Sequence, residues 1–491
     1  MGGEAQPLAR FIPICEFAAA SGNVPHRPRL PATGKASNSQ GSILPTAVLG
    51  ATEGITTLRM IISGAAALLL GGCSVFSGPA VERGQAGFVR GFLGGAAAEE
   101  PRAALVARDI LSAGGSAMDA AVAAGFALTV TLPSRAGLGG GGACLAFDRT
   151  RGETQAILFE AGARRGAAPG ADRPAAVPMM ARGLFALHTR GGRLRFEELI
   201  RPAEDLARQG NPVSRAFAGD LAAVAAPLFA DPQARAIFAG PDGGPLGEGA
   251  PLFQRDLSVT LAALRTSGPG DIHQGALARR VAEASLSAGG GLTVEDMRAS
   301  VARIVPPASV PVGNDTVSFL PTGSDPETAR AFVQIAAGGS PASRASGGGA
   351  STGLVTFDRD GNAVACAFTM NNLFGTGRIA PGTGILLAAA PNAGAVRPAP
   401  LAVTLTHNQP LRGFRLAVAA SGQEAAPVAA ALATSRLLRG ASPPDALPQG
   451  LPGYARAVIA ACPRYLPGRP DECVIASDPR GSGLAAGAAP R

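Results

Sequence analysis

The strongest constraint on the fold lies near residue 350, where a hydroxyl residue follows a glycine run and opens a strand. Residues Ser346–Ala350 read Ser-Gly-Gly-Gly-Ala, and Ser351 comes next. The apolar segment that follows turns at Asp360-Gly361 and returns as a second apolar segment that ends at Thr369, with Asn371 just beyond. An Asp-Gly pair between two strand-like runs predicts a β-hairpin. Alternation along the returning strand places the Thr369 hydroxyl and the Asn371 amide on one face.

Composition allows a large core and disfavours several classes of function. The chain has 491 residues, no Trp and a formal net charge of +8 that comes mostly from scattered Arg. At this length one large α/β domain or two ordinary domains are expected. No basic run stands out, so nucleic-acid binding is not expected. The six cysteines have no zinc-type spacing and the four histidines are dispersed, so we expect no metal site and no cofactor.

The cysteines in the folded part fall into two groups. Cys462 and Cys473 flank a loop that contains Pro and Gly, and in an oxidising compartment they could close a small disulfide loop. Cys144 and Cys366 lie inside apolar strand-like segments. We therefore expect these two to be buried small hydrophobic residues rather than reactive thiols.

An apolar run at residues 58–73 is typical of a secretory signal. It follows one Arg, ends in Leu-Gly-Gly-Cys, and is too short to span a bilayer. It resembles a bacterial lipoprotein signal with Cys73 as the lipidated residue; the alternative is a chance apolar helix. The first interpretation predicts a periplasmic lipoprotein in the bacterial cell envelope, held to the membrane by a lipid anchor. Residues 1–57 are then either a gene start placed too early or a disordered extension, and residues 74–100 are a linker.

The folded part is expected to begin near Pro101 with a helix that stops at Gly114-Gly115. Ser116 can cap a second helix, Ala117 to about Leu132, which is apolar all round and therefore buried. A glycine run at residues 137–142 then precedes two strands. In a dinucleotide-binding loop the glycines follow a strand and open a helix, whereas here they follow a helix and open a strand, so that function is excluded.

This order of elements resembles the large subunit of the γ-glutamyltransferase family, and residues 351–387 resemble the start of its small subunit. The resemblance covers residues 101–305 and 350–390, and it continues more weakly to about residue 440. It implies an α/β fold, a four-layer αββα sandwich of the N-terminal nucleophile hydrolase type. It also implies a large-subunit-like part at 101–350 and a small-subunit-like part at 351–480, followed by a disordered low-complexity tail at 481–491.

Enzymes of this type cut their own chain before a Thr, Ser or Cys. The side chain attacks the preceding carbonyl, and water hydrolyses the ester that forms. The freed α-amine, with an ordinary pKa of about 7.7, can then serve as the general base. Counting back from Asp358, the resemblance places the nucleophile at Ser351, where the family has threonine. Thr352 is the alternative if the register shifts by one residue, and a plain loop-to-strand junction is the structural alternative to both.

The same resemblance implies roles for further residues. Thr369 corresponds to the hydroxyl that bonds the nucleophile and its amine, and Asn371 to an amide that binds substrate. Gly422 and Gln423 lie where the family forms its oxyanion hole from backbone N–H groups. Arg164 follows the second hairpin strand, near the place of the arginine that binds the substrate carboxylate.

Other substrate ligands of the family are replaced by apolar residues. The serine pair falls at Ala402-Val403, and the ligands of the substrate amine fall within residues 388–393. Two functions are therefore expected. The first is an acyltransferase or amidohydrolase that cleaves itself into a large and a small fragment and acts on a small amide, with γ-glutamyl amides as the family's substrates. The alternative is an inactive relative that serves as a periplasmic lipoprotein binding or structural subunit.

Overall fold

A computed structural model describes residues 88–90, 94–162, 170–321, 323–342, 350–391, 393, 396–397 and 399–487. The predicted signal segment with Cys73, and Arg164, lie outside these residues. No helix in the described ranges is long and apolar enough to cross a bilayer.

Eighteen strands and fourteen α-helices are labelled here in chain order. The strands are β1 Phe88–Arg90, β2 Gly94–Ala98, β3 Gly141–Asp148, β4 Glu153–Phe159, β5 Asn211–Pro212, β6 Pro251–Leu252, β7 Arg303–Val305, β8 Ala308–Val312, β9 Asp315–Phe319, β10 Ser351–Asp358, β11 Ala363–Thr369, β12 Ile379–Ala380, β13 Ile385–Leu386, β14 Ala402–Asn408, β15 Gly413–Ser421, β16 Arg456–Leu466, β17 Val474–Ser477 and β18 Leu484–Gly487. The helices are α1 Pro101–Ser112, α2 Ala117–Thr131, α3 Pro133–Ala136, α4 Met180–His188, α5 Phe196–Gln209, α6 Arg215–Leu228, α7 Pro232–Phe238, α8 Arg255–Ser267, α9 Asp271–Gln274, α10 Ala276–Ser287, α11 Val294–Ala299, α12 Pro326–Ala336, α13 Ala426–Leu438 and α14 Pro443–Ala446.

Two seven-stranded antiparallel sheets form the centre of the fold. Sheet 1 has the order β1-β17-β16-β15-β14-β9-β8, and sheet 2 has the order β18-β2-β10-β11-β3-β4-β7. The predicted hairpin is the β10–β11 pair, in which Ser351 lies opposite Thr369 and Phe357 opposite Ala363. The hairpin therefore occupies the middle of sheet 2, with both of its strands fully buried.

The side chains of β10 alternate between two apolar layers. Val355 and Phe357 pack between the sheets, against residues such as Leu405 of β14. Leu354 points the other way, into the core beneath α1, α2, α4 and α5. On the far side of sheet 1, α13 packs over β14, β15 and β16. The layers therefore run helix, sheet, sheet, helix, which confirms the predicted αββα sandwich.

Helix α2 is buried along its whole length, as its apolar sequence predicted. Ser116 caps it: the Ser116 hydroxyl accepts from the Asp119 N–H, and the Asp119 carboxylate accepts from the Ser116 N–H. Such a reciprocal pair satisfies two N–H groups that the first turn would otherwise leave unpaired. The cap therefore fixes the start of the helix that packs directly against β10.

Two predicted segment boundaries are wrong: the linker ends before residue 100, and the tail begins after residue 481. The expected linker at 74–100 contains β2, which pairs with both β10 and β18, and the expected disordered tail at 481–491 contains β18. The alanine- and glycine-rich sequence of β2 lacks an apolar pattern but suits a crowded place. A Cβ added to Gly95 would lie 2.9 Å from Ile475 Cδ1 and 3.1 Å from the Phe357 ring.

Four cysteines form two disulfides. Cys462 and Cys473 are bonded across the predicted loop. Cys144 and Cys366 are also bonded, with their Cα atoms 4.1 Å apart, because β3 and β11 place them directly opposite each other. Both cysteines are fully buried, as expected, but their bond to each other was not predicted. The 222 residues that separate the two cysteines hid the pairing from the sequence.

The hairpin turn is fixed by the carboxylate of Asp358. Its Oδ2 accepts from the Ala117 N–H at 3.0 Å and from Asn362 Nδ2 at 2.9 Å, and its Oδ1 accepts from the backbone N–H groups of Asp360 and Asn362. The turn of the hairpin is thereby tied to the first residue of α2.

We expect Asp358→Ala to lower the free energy of unfolding by about 2–4 kcal/mol, because it leaves several N–H groups without an acceptor. Asp360→Ala in the same turn is the control. It removes only the half-exposed ion pair with Arg193, which is worth less than about 1 kcal/mol. Urea unfolding followed by circular dichroism measures both. Equal losses in the two variants would contradict the role given to Asp358.

Candidate active site

The open end of the β10–β11 hairpin brings together the first two predicted catalytic residues. Ser351 is fully buried, and it shares its face of β10 with Val355 and Phe357, which pack between the sheets. Its hydroxyl has no hydrogen-bonding partner among the residues that the structure describes. Thr369 faces it across the ladder. Two hydroxyl side chains therefore lie side by side at one end of the sandwich interior.

The Thr369 hydroxyl contacts the peptide group that precedes Ser351. Its Oγ1 donates to the carbonyl oxygen of Ala350 at 3.1 Å and accepts from the Asn371 N–H at 2.8 Å. A hydroxyl donor on a carbonyl oxygen stabilises negative charge that develops there during nucleophilic attack. The carbonyl carbon of Ala350 is the atom that the side chain of Ser351 would attack.

Thr352, the alternative nucleophile, has a different environment. It occupies the opposite face of β10, and its Oγ1 donates to Glu99 Oε2 at 3.3 Å. The same carboxylate oxygen accepts from the Ser421 hydroxyl at 2.8 Å. Because Thr352 points away from the Thr369 hydroxyl, which lies on the same face as Ser351, it is a poorer candidate than Ser351.

The turn after β15, where the oxyanion hole is predicted, contains two consecutive residues with positive φ. Gly422 has φ +116° and Gln423 has φ +48°, so both lie in the left-handed region. Few side chains tolerate this region, yet a glutamine adopts it here. Gln423 therefore adopts a backbone conformation that glycine usually takes.

A cavity of about 330 Å³ opens beside this turn. Its polar lining comes from Asn371, Asn372, Arg397, Gln423 and Glu424. Asn371 itself has φ +63°, and its Nδ2 donates to the Ala389 carbonyl at 2.9 Å. The cavity thus combines amide groups with charges of both signs next to the predicted oxyanion turn.

An adjoining cavity of about 470 Å³ shares Arg397 and Glu424 and adds the charged residues Asp325, Glu327 and Arg330. Both cavities are lined predominantly by polar side chains around the shared pair. No cluster of three or more His, Cys, Asp or Glu side chains suited to a metal ion occurs in the described ranges.

The places of the missing substrate ligands are part of the core. Val403 packs between the sheets, and Ala402 packs under α13. Sequence reasoning did not single out Arg397, Glu424 or Glu99. Glu99 had one visible signal, a Glu-Glu pair just before Pro101, but its segment was assigned to the linker.

Comparison with known proteins finds relatives over the first half of the folded part. The sequence model of a family described as gamma-glutamyltranspeptidase matches residues 103–338. The glutathione hydrolase proenzyme of Bacillus subtilis is 31% identical over 218 residues, which are 41% of this chain and 37% of that protein. The Escherichia coli glutathione hydrolase proenzyme is 32% identical over 228 residues, 43% of this chain and 39% of that protein. The chain thus spans well under half the length of these relatives.

A solved structure extends the likeness of fold to nearly the whole described chain. The cephalosporin acylase from Bacillus halodurans superposes with a TM-score of 0.67, covering 85% of this chain and all of that one at 19% identity. At that identity the likeness concerns the fold alone.

We expect Gly422→Ala to lower the free energy of unfolding by about 1–3 kcal/mol, the range for a non-glycine residue held in a disfavoured backbone region. A Cβ there would also lie 2.7 Å from the Cα of Ala455. Gly440→Ala is the control: its φ is +90°, but no atom lies within 4 Å of the added Cβ. Thermal unfolding should show the larger loss at Gly422. A larger loss at Gly440 would mean that the turn after β15 is not tightly packed.

Proposed function

We propose that the chain is a member of the γ-glutamyltranspeptidase family, whose model matches residues 103–338, and that it is a self-cleaving amidohydrolase or acyltransferase of the N-terminal nucleophile type with Ser351 as nucleophile. One observation carries the proposal: the Thr369 hydroxyl donates to the carbonyl oxygen of Ala350, which belongs to the peptide bond that self-cleavage would break. A plain loop-to-strand junction has no need of a hydroxyl at that carbonyl.

Self-cleavage would proceed by an acyl shift from nitrogen to oxygen. Ser351 Oγ attacks the carbonyl carbon of Ala350, and Thr369 stabilises the charge on the oxygen. The C–N bond then breaks, and the hydroxyl proton moves to the departing nitrogen, which leaves an ester. Water hydrolyses the ester. The products are a carboxylate on Ala350 and a free α-amine and hydroxyl on Ser351.

The mature site would use the same groups on substrate. The α-amine of Ser351, with an ordinary pKa of about 7.7, accepts the hydroxyl proton while Ser351 attacks an amide carbonyl. Backbone N–H groups of Gly422 and Gln423 are the proposed donors to the oxyanion. The C–N bond of the substrate amide then breaks, and the α-ammonium group of Ser351 gives its proton to the leaving amine. The covalent acyl-enzyme that remains passes its acyl group to water or to another amine.

The proposed acyl donor is a small polar amide. The two bacterial relatives are named for hydrolysis of glutathione, a γ-glutamyl amide. In this chain Asn371, Arg397 and Glu424 supply the polar groups of the cavity, in place of the serine pair that falls at Ala402-Val403. A γ-glutamyl anilide is therefore the first compound to test, followed by amides with other short acyl groups.

We also propose that the protein works in the bacterial periplasm, attached to the membrane through a lipid on Cys73. The two disulfides support an oxidising compartment, since such bonds are rare in the reducing cytosol. A non-enzymatic lipoprotein subunit is the second candidate. The replacement of expected substrate ligands by the buried residues Ala402 and Val403 favours it.

We expect the purified protein to migrate on a reducing gel as two fragments, of which one ends at Ala350 and the other begins at Ser351. On a non-reducing gel the fragments should stay together, because the Cys144–Cys366 disulfide joins one side of the cleavage point to the other. Ser351→Ala should give one intact chain on both gels. Intact mass spectrometry of the reduced fragments locates the cut.

Thr352→Ala is the matched control and should leave the position of the cut unchanged. An intact wild-type chain under reducing conditions, without hydrolysis of the anilide, would exclude the enzyme and favour the binding subunit. A cut before Thr352 instead would move the nucleophile to the alternative register.

We expect Thr369→Val to slow self-cleavage about 100- to 1000-fold, the effect of removing one donor from a developing oxyanion. Valine keeps the shape and loses the hydroxyl. Thr369→Ser, which keeps the hydroxyl, is the control and should stay within about tenfold of the wild type on the same basis. Cell-free synthesis of the precursor, sampled over time on reducing gels, gives the rates. A Val variant that cleaves as fast as the wild type would remove Thr369 from the mechanism.

A further inference from the structure

We propose that Glu99 is a positioning residue of this site: its carboxylate holds the strand that begins with Ser351 against the turn that contains Gly422. The inference rests on the proposed function, because its consequence is the rate of self-cleavage. It assigns a role to a residue that lies just beyond β2 and contacts neither of the groups that react.

Glu99 contacts both halves of the site through one oxygen. Its Oε2 accepts from the hydroxyl of Thr352, the residue after the nucleophile, and from the hydroxyl of Ser421, the residue before Gly422. Its backbone N–H donates to the Gly353 carbonyl at 3.3 Å. One residue therefore joins β10 of sheet 2 to the end of β15 in sheet 1.

These contacts bridge two sheets that share no backbone ladder. Within each sheet, backbone hydrogen bonds fix the distance between neighbouring strands. Between the sheets, apolar packing is not directional, so hydrogen bonds of defined geometry are needed to set the relative position of two strand ends. Glu99 provides such bonds next to Ser351 and Gly422, where a displacement of about 1 Å can cost about 100-fold in rate.

The surroundings of Glu99 suit a buried acceptor. The side chain is 5% exposed, and burial raises the pKa of its carboxyl, while Arg135, Ser421, Arg456 and Thr352 act in the opposite direction. Arg135 Nη1 lies 3.9 Å from Oε2, although that guanidinium makes its shorter bonds to Asp220. Burial outweighs these effects, so the pKa of Glu99 lies above its ordinary value, and its Oε1 has no hydrogen-bonding partner among the described residues. The hydroxyls of Thr352 and Ser421 on Oε2 are the side-chain hydrogen bonds that orient the carboxyl group.

The experiment compares two near-isosteric substitutions by their rate of self-cleavage in cell-free synthesis. Glu99→Leu fills the same space without an acceptor and should cleave at least tenfold more slowly than the wild type. Glu99→Gln keeps one oxygen acceptor for both hydroxyls and should retain at least a third of the wild-type rate. If packing alone mattered, the Glu99→Leu variant would cleave itself as fast as the Glu99→Gln variant, and the inference would be overturned.

The neighbouring Glu100 supplies the control. It is also buried, but its carboxylate caps α1 by accepting from the Ala103 N–H and accepts from the Thr131 hydroxyl, rather than from Thr352 and Ser421. Glu100→Leu should destabilise the fold while cleavage keeps its wild-type rate. A Glu99→Leu variant that cleaves as fast as Glu100→Leu would overturn the inference and leave the proposed self-cleavage standing.

A double variant tests the coupling to the turn. If Glu99 acts through Ser421, then Ser421→Ala added to Glu99→Leu should slow cleavage no further than Glu99→Leu alone. If the double variant instead lost cleavage rate by the product of the two single-variant factors, the two residues would act separately and the inference would be overturned. A wild-type chain that never cleaves would remove the proposed function and this inference together.

Discussion

The site depends on the register of one hairpin. Ser351 and Thr369 are partners in the β10–β11 ladder, and this pairing lets the Thr369 hydroxyl reach the Ala350 carbonyl. A slip of one residue would turn every side chain of a strand to the opposite face, so that Ser351 would leave the sandwich interior. The Asp358 carboxylate opposes such a slip, because it fixes the turn at the other end of the hairpin to α2.

The layers around the hairpin explain why small residues are so common. The hairpin is covered on one face by helices and on the other by sheet 1, so its neighbours must fit narrow spaces. A Cβ on Gly353 of sheet 2 would lie 2.8 Å from the Cβ of Ala419 in sheet 1. Close approach of the layers is thus obtained with glycine and alanine, and the same residues leave β2 without a recognisable apolar pattern.

The sequence predicted those parts of the molecule that local chemistry decides. The hairpin, the Ser116 cap and helix α2 follow from turn residues, capping residues and periodicity, all read within short windows. The bond between Glu99 and Ser421 joins residues 322 positions apart, and the Cys144–Cys366 disulfide spans 222. Such contacts depend on how strands are ordered within and between sheets, which no short window contains. The same holds for Arg397 and Glu424, which line one cavity only because their loops meet in the fold.

The groups proposed for self-cleavage and the groups proposed to bind substrate are subject to different structural constraints. The proposed self-cleavage needs only an intramolecular geometry, and its proposed groups, Ala350, Ser351 and Thr369, lie together at the open end of one hairpin. Recognition of a substrate needs side chains at the rim, where Arg397 and Glu424 stand on the segments that follow β13 and β15. Rim residues can change without disturbing the buried hairpin, because the layers pack independently of them. The proposed function thus combines a hydroxyl nucleophile inside the hairpin with an altered rim, which is the pattern expected when the acyl group changes and the type of chemistry does not.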